Sequence, residues 1–432
     1  MKVVHPLLLL LLLWLSAANR SANGEDTPRP RDETAISKAF VQQAQIVSKA
    51  ATEQYAHQSS LRIVNGKGYA VYQCNEGTPE EDKAGQLARM AIFDIANPTA
   101  TAKWVDISGA GDSSNGLTIG GRFVSAPMLH CIDADTLRVF FTACFAGDPA
   151  PAFRVFYEDY TISSGTLSGL HVVRCAIAKQ PEAPLDLTPE ALQRHLDFLF
   201  GLGTGAQFSS GLSTAGDFVP FDGQLYSTIQ IKNSQNGRTH LLTNILMRSA
   251  DQGANWELLG APDPRLLPGE EPATSKILAE PALTQDTNNI YLHLRSNVAA
   301  TGYVLSKASK TDPYHFDAPV TKWTFGIGRP AVGDFGPPFG LVAMFTAPTV
   351  NMGPRTVTRN KCDVVRIDPT YQTYTRAFSL VDPDAINTPF MQLYHGEVYV
   401  TYSTGRRHLI PKFGTSEIVF SKLPKEDLIR PQ

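Results

Sequence analysis

Among the side chains of this chain that can move a proton or grip an anion are His57, His130, Tyr226 and Arg248. A neutral imidazole, with an ordinary pKa of about 6.5, can activate water against an electrophilic carbon. A tyrosine hydroxyl can move a proton, and an arginine can grip a carboxylate through two parallel N–H bonds, a task lysine does poorly. His57 stands just ahead of "SSLRI" and His130 follows "APML". Tyr226 comes after the Asp222-Gly223 turn, and Arg248 immediately precedes "SADQGANW". Farther on, Tyr291 opens the strand "YLHLR", where His293 and Arg295 alternate with leucines and so share one face. His293 and Arg295 are therefore expected as substrate-binding neighbours of the first set, and Tyr291 is counted with them.

Other chemistries lack their residues. Cys74, Cys131, Cys144, Cys175 and Cys362 are odd in number and scattered, with no Cys-x-x-Cys pair and no zinc spacing, so no metal is implied. A disulfide is compatible with an oxidising compartment; buried free thiols are the plainer reading. "GAGDSSNG" (109–116) and "GLGTGAQ" (201–207) lack a phosphate-loop spacing, and no cofactor is implied. A formal charge of −3 leaves no field of Lys and Arg for nucleic acid or an anionic membrane. The densest positive cluster is local: Arg406, Arg407 and His408 in "GRRHLIPKF".

The elements that must position these residues read as β almost throughout. Apolar residues alternate on either side of tight-turn pairs at Asn65-Gly66, Asp222-Gly223 and His395-Gly396, and around Asp133-Ala134-Asp135. Further strands are expected near 89–95, 171–177, 241–248, 290–295, 302–306, 341–346, 363–367 and 417–421. "LTPEALQRHLDFLFGLG" (187–203) is the exception, with Thr188 as N-cap, Pro189 at the first helical position and Gly201 as the stop. It is expected to cover an open end of the fold. Hairpins at this density favour radial repetition: an all-β, six- or seven-bladed β-propeller with one inserted helix.

The N-terminal end reads differently. Lys2, the apolar run Leu7–Leu15 and Ser16-Ala17-Ala18 make residues 1–18 a signal peptide, and 19–33 a disordered lead-in. The remainder, 34–432, is expected as a single catalytic domain, secreted or periplasmic, with no membrane span and monomeric.

Ser249, Asp251, Gly253 and Trp256 stand at the spacing S-x-D-x-G-x-x-W. This resembles the Asp-box of the sialidase-like superfamily, where the motif fastens a turn between the outer two strands of a propeller blade. "SKASKTDPYHF" (306–316) is similar to a stretched second copy, and "TSEIVFSKLPKEDL" (415–428) to the closing strand. Sialidases carry three arginines that clamp a carboxylate, an early R-I-P motif, an Asp acid and a Tyr/Glu nucleophile pair; "LRIV" (61–64) resembles the early motif with Val64 in place of Pro. The order of "AHQSSLRIVNGKGYAVYQCNEGTPEED", "LARMAIFDIANP" and "APMLHCIDADTLRVFF" is closest in texture to secreted α-L-rhamnosidases and ulvan lyases. That resemblance implies a glycoside hydrolase releasing α-L-rhamnose next to a uronic acid from an acidic polysaccharide, with His57 as catalytic group. It equally allows a polysaccharide lyase in which His130 neutralises the uronate, Tyr226 serves as base and acid, and Arg248 holds the carboxylate. A sialidase and a non-catalytic glycan-binding propeller are the remaining readings.

Overall fold

The computed structural model describes residues 31–121, 124–146, 153–177, 184–201, 212–213, 217–235, 238–267, 276–296, 302–324, 328–353, 358–405 and 416–429. Residues 1–18, most of the expected lead-in, and Arg406, Arg407 and His408 lie outside them.

After the helix Glu33–Gln43 comes β1 (Gln45–Ile46), then a meander of β2 (Tyr55–Val64), β3 (Lys67–Asn75), β4 (Leu87–Asp94) and β5 (Lys103–Ser108). A small hairpin, β6 (Ser113–Ser114) and β7 (Leu117–Thr118), leads to β8 (Ser125–Cys131), β9 (Thr136–Cys144) and β10 (Phe153–Thr161), edged by β11 (Thr166–Leu167) and β12 (His171–Val172). The third meander holds β13 (Arg174–Ile177), β14 (Leu185–Asp186), β15 (Leu212–Ser213), β16 (Val219–Phe221), β17 (Gln224–Gln235), β18 (Arg238–Ser249) and β19 (Asn255–Leu258). The fourth holds β20 (Lys276–Gln285), β21 (Asn289–Ser296), β22 (Tyr303–Ser309), β23 (Asp312–Phe316) and β24 (Val320–Trp323), and it joins the third in one 12-stranded sheet through a parallel pairing of β18 with β20. Then follow β25 (Ala331–Asp334), β26 (Leu341–Thr346), β27 (Lys361–Ile367) and β28 (Tyr374–Val381), and finally β29 (Asn387–Tyr394), β30 (Glu397–Thr404) and β31 (Glu417–Lys422).

Four of the hairpins turn where two successive residues take positive φ: Asn65-Gly66, Asn115-Gly116, Asp222-Gly223 and His395-Gly396. That is the geometry of a two-residue turn matched to the strand twist, and it explains why Asn or Asp before Gly announces them. Each strand then alternates sides, and the apolar side chains collect between neighbouring meanders in separate clusters rather than in one central core. The centre belongs to the first strands. β2 packs on β8 and, on its other flank, on β29; β29 packs on β25, β25 on β20, and β20 on β17. The last meander is completed from the other end of the chain, since β1 pairs with β31, Gln45 opposite Phe420. Among the described residues no sheet closes on itself, and the arrangement is mostly β, consistent with an all-β propeller.

The expectation of one inserted helix is corrected. Besides Pro189–Phe200 there are helices at Glu33–Gln43, Pro98–Thr101 and Lys425–Ile429. The first of these begins inside the expected lead-in. Asp32 caps it by accepting from Ala35 N at 3.0 Å, and Ile36 and Phe40 are buried against the last meanders. Two anchoring side chains in a polar stretch are too few to reveal a helix by periodicity. The helix Pro189–Phe200 is capped as expected, with Thr188 accepting from Ala191 N and Gly201 at φ 60°. It lies against β13, burying Ala191, Leu192 and Leu196 among the side chains between the second and third meanders. All five cysteines are free thiols. No helix among the described residues is long and apolar enough to cross a membrane.

Candidate active site

Four first strands share one irregularity. Gln58, Ala126, Glu280 and Thr388 have φ between 44° and 54°. At each the register against the second strand slips, between His57 and Ser60, Ser125 and Met128, Ala279 and Ala282, and Asn387 and Phe390. These are bulges, and in three of them the next residue is proline (Pro127, Pro281, Pro389), which fixes φ and gives up a ladder N–H the bulge has already freed. Positive φ at a side-chain-bearing residue costs about 1–3 kcal/mol, so four at one level mark a place where side chains are aimed at some expense. Glutamines tie the bulges together: Gln73 on β3 accepts from Ala126 N (2.9 Å), and Gln230 on β17 accepts from Glu280 N (2.8 Å).

Charged groups converge there. Arg295 Nη1 donates to Glu280 Oε2 at 2.7 Å, both side chains being about one-fifth exposed. Burial pushes the Glu280 carboxyl up, but Arg295, Arg359 and Arg329 outweigh it and hold the group below the ordinary 4.5, so it is ionised at neutral pH. Arg359 donates to Asn387 Oδ1 at 2.8 Å and feels Arg295 as a like charge. Glu81, in the loop after β3, accepts from Gln73 Nε2 at 2.8 Å and faces Tyr55. Burial dominates at Glu81 and raises its carboxyl above 4.5, with the Glu280 charge adding to the rise. Burial and the nearby Arg359 lower His57 to about 3, leaving a neutral imidazole. Its ring lies 5.9 Å from the Tyr55 ring, and its Nδ1 is buried with no hydrogen-bond partner among the described residues. Asn387 Nδ2, in the same group, is buried and likewise lacks one. Each of these atoms is free to bond a bound molecule or water.

Of the residues singled out in the sequence, His57 and Arg295 lie in this cluster. Tyr291 and His293 share the face of β21 with Arg295 but sit farther along it. Tyr291 stacks on Tyr371 at 3.7 Å, and His293 bonds Thr284 Oγ1 at 2.8 Å, with burial lowering its ring to about 3. Tyr226 and Arg248 are cross-strand partners on β17 and β18, and Arg248 donates to Glu257 Oε2 at 3.1 Å. His130 stands on another meander, where its Nε2 meets Gln252 Oε1 at 2.8 Å and burial lowers it to about 4. Arg62 of "LRIV" donates to its own chain at Leu61 O and lies over the Phe390 ring. Gln252 belongs to the turn joining β18 to β19. There Ser249 Oγ donates to Asp251 Oδ1 (2.8 Å) and accepts from Gly253 N (2.8 Å), and Trp256 Nε1 donates to Gly253 O (2.8 Å).

Glu81, Glu280 and Arg359 were not anticipated. Of the three, Glu280 alone leaves a trace, in the dipeptide pattern Ala126-Pro127, Glu280-Pro281 and Thr388-Pro389. Among the described residues no group of three or more His, Cys, Asp or Glu could hold a metal ion.

No family model and no curated protein matches the chain. Solved structures match it in fold. A sialidase of Trypanosoma rangeli in complex with sialic acid superposes with a TM-score of 0.57 at 12% identity, covering 86% of this chain and 54% of that one. A Hadza microbial sialidase gives 0.59 at 12% identity over 88% and 68% of the two chains. A Dyadobacter fermentans protein of unknown function gives 0.58 at 12% over 88% and 97%. The chain spans about half the length of the trypanosomal enzyme. It has a sialidase-like fold.

Proposed function

We propose that this chain is a secreted, six-bladed, exo-acting glycoside hydrolase that removes a terminal sugar from an acidic glycan. The observation that carries the proposal is that their surroundings shift the acidities of two carboxyl groups, Glu81 and Glu280, in opposite directions. Arginines hold the Glu280 carboxyl below its ordinary range, while burial raises that of Glu81. Two carboxyls of separated acidity are what glycosidic cleavage needs. Glu81 gives its proton to the leaving oxygen as the glycosidic C–O bond breaks. Glu280 faces the positive charge that grows at the anomeric carbon and takes a proton from the water that adds there. Arg295 and Arg359 hold the carboxylate of the acidic sugar. His57 lines the same site, but an imidazole lowered to about 3 is a weak base, so the proton transfers fall to the carboxyls.

The test is sugar release from a small panel: an oligosaccharide with α-L-rhamnose next to a uronic acid, a sialoside, and a neutral galactoside, read by chromatography. Release from an acidic member, lost in Glu280→Gln, is the expected result. Equal release from the neutral galactoside, or none from any member, overturns the proposal.

A further inference from the structure

The helix Glu33–Gln43 buries Ile36 and Phe40 in the core and leaves a second stripe, in which Glu33-Thr34, Ser37-Lys38 and Val41-Gln42 recur every four residues. That stripe is one wall of a cavity of about 570 Å³, facing Val350, Met352, Lys361, Val381 and Pro383. The volume lies inside the range of small-molecule pockets, about 300–1,000 Å³. Hydrogen bonds fix the two walls against each other. Ser37 Oγ donates to Ser379 O (3.2 Å) and accepts from Val381 N (3.1 Å). Lys361 is the cross-strand partner of Val381. Asn360, just before Lys361, accepts from Val350 N at 2.8 Å and donates back to Val350 O at 2.7 Å. Lys38, the residue after Ser37, and Lys361 therefore reach the same cavity at one level.

These bonds engage Ser37 and Ser379, so much of the wall that a guest would meet is apolar. Val350 and Met352 are 37% and 49% exposed, which leaves their side chains open to a partner. The charges do not balance. Glu33 faces Arg376 at 3.7 Å, and Lys361 Nζ lies 3.8 Å from Asp363 Oδ1, which already accepts from Ser379 Oγ at 2.7 Å. Lys38, Lys361 and Arg376 against Glu33 and Asp363 leave one positive charge over, which a single anion would complement. A sugar, whose hydroxyls need partners around the ring, finds few here. We propose that the cavity is a binding site for a fatty-acid anion, its carboxylate between Lys38 and Lys361 and its alkyl chain along Val41, Val350, Met352 and Val381. The site shares no residue with that of Glu81 and Glu280, so it stands or falls apart from the hydrolase reading.

The experiment is calorimetric titration of the full chain at neutral pH with decanoate, its uncharged amide decanamide, and acetate. Decanoate should bind saturably and about tenfold more tightly than decanamide, the difference a charge-assisted contact supplies. Acetate, with the charge but no chain, should give no binding heat. Lys38→Met should shrink the preference for decanoate over decanamide, Lys38→Met with Lys361→Met should abolish it, and Lys38→Arg should keep it. Met352→Asn, at an exposed position, should weaken decanoate and decanamide alike by several-fold. Circular dichroism of each variant checks that the fold is kept, and Lys38 and Met352 are exposed enough for their variants to fold. Absence of saturable decanoate binding overturns the proposal. Equal affinity for the amide, or an unchanged preference in Lys38→Met, overturns the lysine grip on which it depends. Affinities unmoved by Met352→Asn place the ligand elsewhere and overturn it as well.

Discussion

At the scale of single residues, Glu280 shows how environment sets chemistry. It stands at a bulge, hydrogen-bonded through its backbone to Gln230 and through its carboxylate to Arg295. The pH dependence of kcat/KM follows from the two opposed shifts. Glu280 must be ionised, so activity is present above its depressed pKa and lost as pH falls through a value under 4.5. Glu81 must be protonated, so activity is lost as pH rises through a value above 4.5. The expected profile is a bell whose acid limb belongs to Glu280 and whose alkaline limb belongs to Glu81, and Glu81→Gln should both remove that alkaline limb and lower the rate by roughly 10²–10⁴. A flat profile across both limbs would exclude the pair. Arg359→Ala should act mainly on KM, raising it roughly 10–100-fold, because its charge serves binding in ground and transition state alike.

At the scale of elements, turns announce themselves and bulges do not. Asn65-Gly66, Asp222-Gly223 and His395-Gly396 were legible because two positive φ values in succession leave few residue choices. The same is true of the capped helix at Pro189–Phe200, marked by Thr188 and Gly201. Glu280 was hidden by its neighbour: a proline inside an apolar run reads as the edge or end of a strand, whereas here Pro281 sits in a bulge facing the centre. His57 was reached through its imidazole, and Arg295 through its alternation with leucines. Glu81 lies in a loop without periodicity, so nothing in its surroundings set it apart. The turn after β18 offers a prediction of another kind. Gly253 has φ 93°, and a Cβ there would come within 2.6 Å of Phe140 and 3.0 Å of Trp256. Gly253→Ala should lower stability by about 1–3 kcal/mol in urea unfolding and leave kcat unchanged, because the added Cβ meets Phe140 and Trp256, neither of which belongs to the site. An equal fall in kcat would mean that the turn reaches the site.

At the scale of the whole molecule, the site exists only because several meanders surround it. His57 comes from the first, Gln230 from the third, Glu280 and Arg295 from the fourth, and Asn387 from the last. Loosening one interface should therefore be felt at the centre. Phe40 offers a test. It is fully buried, stacks on Tyr402 at 5.6 Å, and belongs to the helix that seals the first and last parts of the chain together. Phe40→Ala should cost about 3–5 kcal/mol, seen as a lowered thermal midpoint, and should reduce activity only above the new onset of unfolding. The same closure bears on how the protein is made. Ile418 N donates to Ser48 Oγ across 370 residues of chain. Until the stretch around Ile418 has emerged during synthesis, β1 has no partner and β30 keeps an open edge, so the nascent chain carries an unpaired strand at either extremity. Such edges are templates for pairing with other chains. Misassembly should therefore be a hazard of the last moments of synthesis, and slowing release after residue 404 should raise aggregation more than any earlier pause.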